Sequence, residues 1–313
     1  MRSPTLDNMT STGMKFWLHP EHMRSYAEGT GNTVITTHIS PEGACNLDCS
    51  YCSVSKRDLH SRLHLSTATD YLADLCDHGL KAVIFTGGGE PTGYKHFNQL
   101  VELAVAMGLK VGLITNGTLA KRVEVWDLFD WVRVSINNFD GWQEKIWIPD
   151  IPGRVGLSYC YAVKEDIWSA ILRKADQLQA EYIRVLPDCT LPQKDLIAWH
   201  KILDKIMPDD PRFIHQPKLH ETPSQGKCHQ SFFRPYLHES GYVYPCDSVV
   251  LNDSPGMFIK KYALCAAEDI GDYLDGKIEQ KFDATVDCTG CVFTKTVNML
   301  DHYVKGIDDP DFV

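Results

Sequence analysis

Between residues 33 and 188 the chain alternates strand signals with helix signals, and this alternation constrains the fold more than any other feature. Residues 33–40 (TVITTHIS), 81–86 (KAVIFT), 110–115 (KVGLIT), 132–136 (VRVSI), 156–163 (GLSYCYAV) and 182–186 (YIRVL) are short, β-branched and apolar, as buried strands are. Helical patterns lie between them at 67–76, 97–107, 122–129 and 167–179. Thr67 and Asp70 have the spacing of a capping box for the first of these, and Gly79 and Gly108 read as stops. Strands separated by helices at this spacing require right-handed crossovers and a parallel sheet. Six such units suit a partial or complete barrel, with functional residues at the C-terminal ends of the strands.

Beyond residue 191 the pattern changes. A helix is expected at 194–206, then a Pro- and His-rich connector at 208–223. A hairpin follows, made of 231–238 and 241–245 and turning at Glu239–Gly241. The organisation expected is an extension at 1–32, a core at 33–207, a linker at 208–224 and a smaller unit at 225–313.

The chemistry is carried by cysteine. Eleven thiols, an odd number, with a polar N-terminus that lacks an apolar export segment, favour reduced thiolates over disulfides. Without an apolar run of 18 residues, membrane spanning is disfavoured and a cytoplasmic enzyme is expected. The 31 basic and 41 acidic residues give a net charge of −10, which repels a phosphate backbone, so nucleic acid is disfavoured as a partner.

Directly after the first strand stands Cys45-Asn46-Leu47-Asp48-Cys49-Ser50-Tyr51-Cys52, a C-x3-C-x2-C loop. Three thiolates on one loop can hold three corners of a [4Fe–4S] cluster and leave one iron open to a substrate or cofactor. A structural zinc site would want a fourth ligand, for which only His60 and His64 are near. At the end of the second strand comes Gly87-Gly88-Gly89-Glu90-Pro91, whose glycines allow close backbone approach and whose carboxylate suits an ammonium. Thr115 and Asn116 end the third strand, and Ser135 and Asn137 end the fourth.

This combination resembles the radical SAM superfamily, over about residues 33–190. The resemblance implies a partial (β/α)6 TIM-like barrel, with Cys45, Cys49 and Cys52 as cluster ligands and Tyr51 packing on adenine. It further implies that Gly88, Gly89 and Glu90 hold the methionyl amino group of S-adenosylmethionine (SAM), and that Thr115, Asn116, Ser135 and Asn137 contact its ribose and carboxylate. The implied chemistry is reductive cleavage of SAM to a 5′-deoxyadenosyl radical, which removes a hydrogen atom from the substrate. Reduction calls for an electron donor such as flavodoxin or ferredoxin.

A second set, Cys228, Cys246, Cys288 and Cys291, can saturate another metal centre, and spacing alone leaves zinc and iron–sulfur open. The run from Gly241 to Cys246 followed by C-x2-C is similar to the Twitch domain, a shortened relative of SPASM. That likeness implies a small α+β unit with an auxiliary [4Fe–4S] cluster. Enzymes of this kind mainly oxidise or epimerise small polar metabolites, such as amino sugars, cyclitols or nucleoside-like molecules. The rival enzyme class is a maturase of ribosomally made peptides; the rival outside enzymology is an Fe–S or zinc structural or sensor protein. Among the remaining thiols, Cys189 past the sixth strand and Cys265 between auxiliary ligands are the candidate hydrogen-atom donors. Arg184 on the sixth strand is a candidate for a substrate anion or a base. Cys76, in a helix beside Leu72 and Leu75, reads as packing, and Trp126, Trp131, Trp142 and Trp147 as the outer layer of the barrel.

Overall fold

A computed structural model describes residues 13–137, 146–161, 167–219, 221, 226–252, 258–279, 281–288 and 290–306. Six strands fall where the sequence places them: β1 (Thr36–Ile39), β2 (Ala82–Phe85), β3 (Lys110–Thr115), β4 (Trp131–Ser135), β5 (Arg154–Tyr161) and β6 (Tyr182–Pro187). They pair in parallel, each with the next. The molecule is thus an α/β fold on a parallel sheet.

Burial alternates along the strands. On β4, Val132 and Val134 are fully buried, while Trp131, Arg133 and Ser135 on the opposite face are only partly covered. The apolar face is matched by helices. Helix α1 (Pro20–Glu28) precedes β1, and α2 (Leu65–Asp77) buries Ala68, Tyr71, Leu72 and Leu75. Helix α3 (Phe97–Ala106) buries Phe97, Leu100, Val101 and Ala104 at the same i, i+3, i+4, i+7 spacing. Each fully buried leucine of these stripes contributes roughly 1.5–3 kcal/mol. Helices α4 (Ile167–Gln177) and α5 (Gln193–Ile206) flank β6. Among the described residues no helix is long and apolar enough to cross a membrane.

The structure departs from the sequence reading in four places. The capping box does not form: α2 begins two residues before Thr67, with His64 at the N-cap and no side-chain cap, because Leu65 joins the helix and packs on the core. No α-helix forms over 122–129; two 3-10 turns, Ala120–Arg122 and Trp126–Leu128, flank an extended Val123. The stretch expected as a linker carries β7 (Phe213–His215), a seventh parallel strand beside β6. The hairpin is shorter than expected, β8 (Tyr236–Leu237) with β9 (Tyr242–Tyr244), because Ser231 and Phe232 lie in a 3-10 turn.

The C-terminal strands do not form a sheet of their own. β8 pairs in parallel with β1, and β10 (Cys265–Ala266) pairs antiparallel with β9. The sheet order is β10-β9-β8-β1-β2-β3-β4-β5-β6-β7. β1 would otherwise offer an unpaired edge beside the cysteine loop, and the hairpin covers it.

Candidate active site

The loop after β1 is strapped to the turn after β2. Gly89 N donates to Glu42 O at 2.8 Å and Glu90 N to Ala44 O at 2.9 Å. A Cβ at Gly89 would lie 1.9 Å from the Ala44 carbonyl oxygen, and one at Gly88 would lie 2.3 Å from Glu239 Oε1. A side chain at Gly89 would push the loop that carries Cys45 away, and one at Gly88 would displace the Glu239 carboxylate, so the glycines are needed for these approaches. Within the loop Arg57 acts as a clamp: Nε donates to Gly43 O at 2.8 Å and Nη1 to Cys52 Sγ at 3.4 Å. The backbone N–H of Leu47 points at Cys45 Sγ, also at 3.4 Å. Donors aimed at sulfur favour thiolates and iron–sulfur ligation.

Glu90 is buried and saturated with donors. Its Oε1 accepts from Thr92 N at 3.2 Å, Thr92 Oγ1 at 2.6 Å and Thr115 Oγ1 at 2.5 Å, while Oε2 accepts from Asn116 N at 2.8 Å. Burial raises its pKa above the usual carboxylate value, and these hydrogen bonds oppose the rise. The carboxylate expected to meet an ammonium therefore spends most of its accepting capacity tying the glycine turn to the end of β3. Asn116 in turn reaches Asn46 Oδ1 on the cysteine loop at 3.0 Å.

These parts surround one cavity of about 290 Å³ at the C-terminal ends of the strands. Cys45, Cys49, Tyr51 and Cys52 line it on one side and Gly88, Gly89 and Glu90 on another. Thr115, Asn116, Ser135, Asn137, Arg184 and Cys189 complete the set brought together from distant stretches of sequence. The Tyr51 hydroxyl is buried without a hydrogen-bond partner. Asn137 is partly committed, since its Oδ1 accepts from Cys160 N at 2.6 Å. Cys265 is not among these residues: it sits on β10 at the sheet edge, outside the lining of this cavity. Trp131, expected in the outer layer, lies on the face of β4 that carries Arg133, whose guanidinium is 5.6 Å from its ring centre. Trp142 lies outside the described residues.

Several lining residues lie outside the site set expected from the sequence. Cys160 lines the cavity from β5, and its thiol is raised well above the usual range by burial. Ser158 is the register partner of both Ser135 and Arg184, so all three side chains share one face, and Arg184 Nη2 donates to Ser158 Oγ at 3.1 Å. Lys218, three residues beyond β7, also reaches the lining. Arg133 and Arg184 alternate with buried valines on β4 and β6, a pattern visible in VRVS and YIRV as one polar face on a buried strand.

The C-terminal thiols form a second group. Burial pushes Cys228 up to about 12, with Cys291 adding to the rise. Cys246 is also raised, first by burial, then by Asp247 and then by the other thiols, and Cys288 by burial and then by Cys228 and Cys291. Phe293 N donates to Cys291 Sγ at 3.3 Å. Four neighbouring thiols, one buried and three partly buried, can ionise together only with a cation to neutralise them. Among the described residues no three His, Cys, Asp or Glu side chains are placed to hold a single metal ion, so the fit of both cysteine sets rests on their thiol donors and N–H···S contacts.

Residues 39–141 match the sequence profile described as the radical SAM superfamily. The chain is similar to an S-adenosylmethionine-dependent nucleotide dehydratase of Thermoplasmatales archaeon (strain ISO4-H5), 30% identical over 110 residues, or 34% of this chain and 38% of that protein. It is also similar to an Fe-coproporphyrin III synthase of Methanosarcina barkeri (strain Fusaro / DSM 804), 35% identical over 105 residues, 33% of this chain and 25% of that protein. The matches thus span at most about two fifths of these curated relatives. Among solved structures, Streptococcus suis SuiB bound to precursor peptide SuiA superposes with a TM-score of 0.56 at 12% identity, covering 94% of this chain and 79% of that one. That likeness is one of fold.

Proposed function

We propose that the chain is a radical SAM enzyme acting on a small polar, nucleoside-like metabolite. Cys45, Cys49 and Cys52 would ligate a [4Fe–4S] cluster that binds SAM, and Cys228, Cys246, Cys288 and Cys291 an auxiliary [4Fe–4S] cluster in a Twitch-like C-terminal region. The observation that carries the reading is the convergence of the cysteine loop, the glycine turn and the polar ends of β3, β4 and β6 on one cavity. When bound, the reduced cluster and SAM together supply a 5′-deoxyadenosyl radical for hydrogen-atom abstraction.

The chain's own residues do the positioning. Gly88 and Gly89 let Glu239 and the Ala44 carbonyl pack against the turn, while Glu90 holds the turn and Asn116 in register. Tyr51 offers a ring and an unpartnered hydroxyl to the cavity. Cys189, which lines the cavity and whose thiol is raised by burial, would return a hydrogen atom in an epimerisation. In a dehydrogenation the auxiliary set would instead accept an electron.

The dehydratase name of the relative above supports a nucleotide-like substrate over a peptide. Anaerobic incubation with SAM, dithionite and a panel of nucleotides and amino sugars tests the reading. It predicts 5′-deoxyadenosine in every case and a substrate-dependent product for one class. Cys189→Ala abolishes solvent deuterium uptake if the product is an epimer. Absence of 5′-deoxyadenosine from iron-loaded protein would leave a structural or sensor role.

A further inference from the structure

A second cavity, of about 190 Å³, continues inward from the first. The two share Arg184, Cys189 and Lys218 as walls, so one molecule can extend from the cysteine side into the deeper space. Arg133 lines only the deeper space. Three cations therefore face this space, from β4, from β6 and from the segment after β7.

Their countercharge is incomplete. Among the described residues none of Arg133, Arg184 or Lys218 has a carboxylate at ion-pair distance. The one carboxylate in the wall, Asp247, lies 3.6 Å from Arg234 and also acts electrostatically on Lys218 and Arg184, so, with Arg133 included, a single negative charge stands against four cations. The Nε atoms of Arg133 and Arg184 are buried and have no hydrogen-bond partner. Orphaned buried donors are rare in folded proteins, and two converging on one cavity mark a site that a ligand completes. Burial, then the neighbouring Arg133, pushes Arg184 down to about 9, which still leaves it charged at neutral pH.

We propose that the deeper cavity is a phosphoryl subsite in which Arg133, Arg184 and Lys218 hold the phosphate or diphosphate end of the substrate. A single carboxylate would neutralise one of the three cations; a phosphoryl group of two or more charges matches the excess, and guanidinium forks suit its oxygens. The inference rests on the radical SAM reading only in calling the ligand a substrate; the subsite follows from the cations themselves.

The test is calorimetric titration of the anaerobic, cluster-loaded protein at saturating SAM and fixed ionic strength, with pyrophosphate, inorganic phosphate and malonate as probes. Pyrophosphate is expected to bind tightest and malonate weakest. Arg133→Met should weaken pyrophosphate by about 10- to 100-fold, the loss of one charge-assisted bond set, and Arg133→Lys should recover part of it. Arg154→Met, an exposed arginine paired with Glu181, serves as the charge control and should change nothing. Cluster absorbance certifies that each variant is folded. Malonate binding as tight as pyrophosphate, or pyrophosphate binding indifferent to Arg133→Met, overturns the subsite. If pyrophosphate binds as expected but no 5′-deoxyadenosine forms, the subsite stands and the radical SAM reading falls; the converse pair of results does the opposite.

Discussion

Replacing Glu90 by Gln changes one atom and the charge, and the structure says what that costs. The carboxylate accepts four hydrogen bonds, two from backbone N–H groups and two from threonine hydroxyls. An amide has one oxygen. With that oxygen at the Oε1 position, its NH2 faces the N–H of Asn116, donor against donor; flipped, the NH2 faces the N–H of Thr92 instead. Either way at least one buried donor is stranded, at about 1–3 kcal/mol, and the remaining bonds lose their ionic character. We expect a loss of about 2–3 kcal/mol. With an unfolding entropy near 2.1 cal/mol/K per residue, this lowers the thermal midpoint by roughly 3–5 °C. Differential scanning calorimetry of the iron-loaded protein at one scan rate gives the shift, and equilibrium dialysis with labelled SAM gives the accompanying loss of affinity. An unchanged midpoint together with unchanged SAM affinity would show that Glu90 does not clamp the turn to β3.

Three further outcomes follow from the same geometry. Gly89→Ala drives a Cβ into the Ala44 carbonyl, so SAM cleavage should fall by roughly 100-fold while circular dichroism stays close to wild type. Arg57→Met removes the donor to Cys52 Sγ and should shift the potential of the first cluster to more negative values in a dithionite titration followed by electron paramagnetic resonance. His38 is buried against Arg234, Asp247, Arg133 and Lys218, and burial is the main cause of a pKa lowered to about 3. Because the unfolded chain takes up that proton near 6.5, it binds more protons than the fold between those values. Stability then falls as pH drops from 6.5, by about 2 kcal/mol at pH 5, and His38→Asn should flatten this part of the urea-midpoint profile.

How much was legible in the sequence depended on how locally each feature is determined. The parallel strands could be read because runs such as KAVIFT and KVGLIT have no other stable home than a sheet buried on both faces. β7 could not: three residues between Pro211 and Pro217 carry too little pattern, and the strand exists because the edge of β6 is there to receive it. The 122–129 stretch has apolar residues at helical spacing, yet Trp126 and Phe129 reach the core from 3-10 turns. In the site, the cysteine loop and glycine turn are contiguous motifs and were visible at once. Lys218 was invisible because its position depends on β7, and Arg133 was overlooked although its alternation with Val132 and Val134 marks it as facing away from the apolar layer. Cys265, lying between auxiliary cysteines in sequence, is carried by β10 to the sheet edge, a placement that depends on strand pairing rather than on local pattern.

The most direct measurement is quantification of 5′-deoxyadenosine from anaerobically reconstituted protein given SAM and dithionite, beside the Cys45→Ala/Cys49→Ala/Cys52→Ala variant. The account predicts nucleoside release by the native chain and none by the variant. It also predicts iron falling from about eight to about four per chain as one of two [4Fe–4S] clusters is lost. Equal release by both proteins, or no release from native protein that carries its full iron, would contradict it.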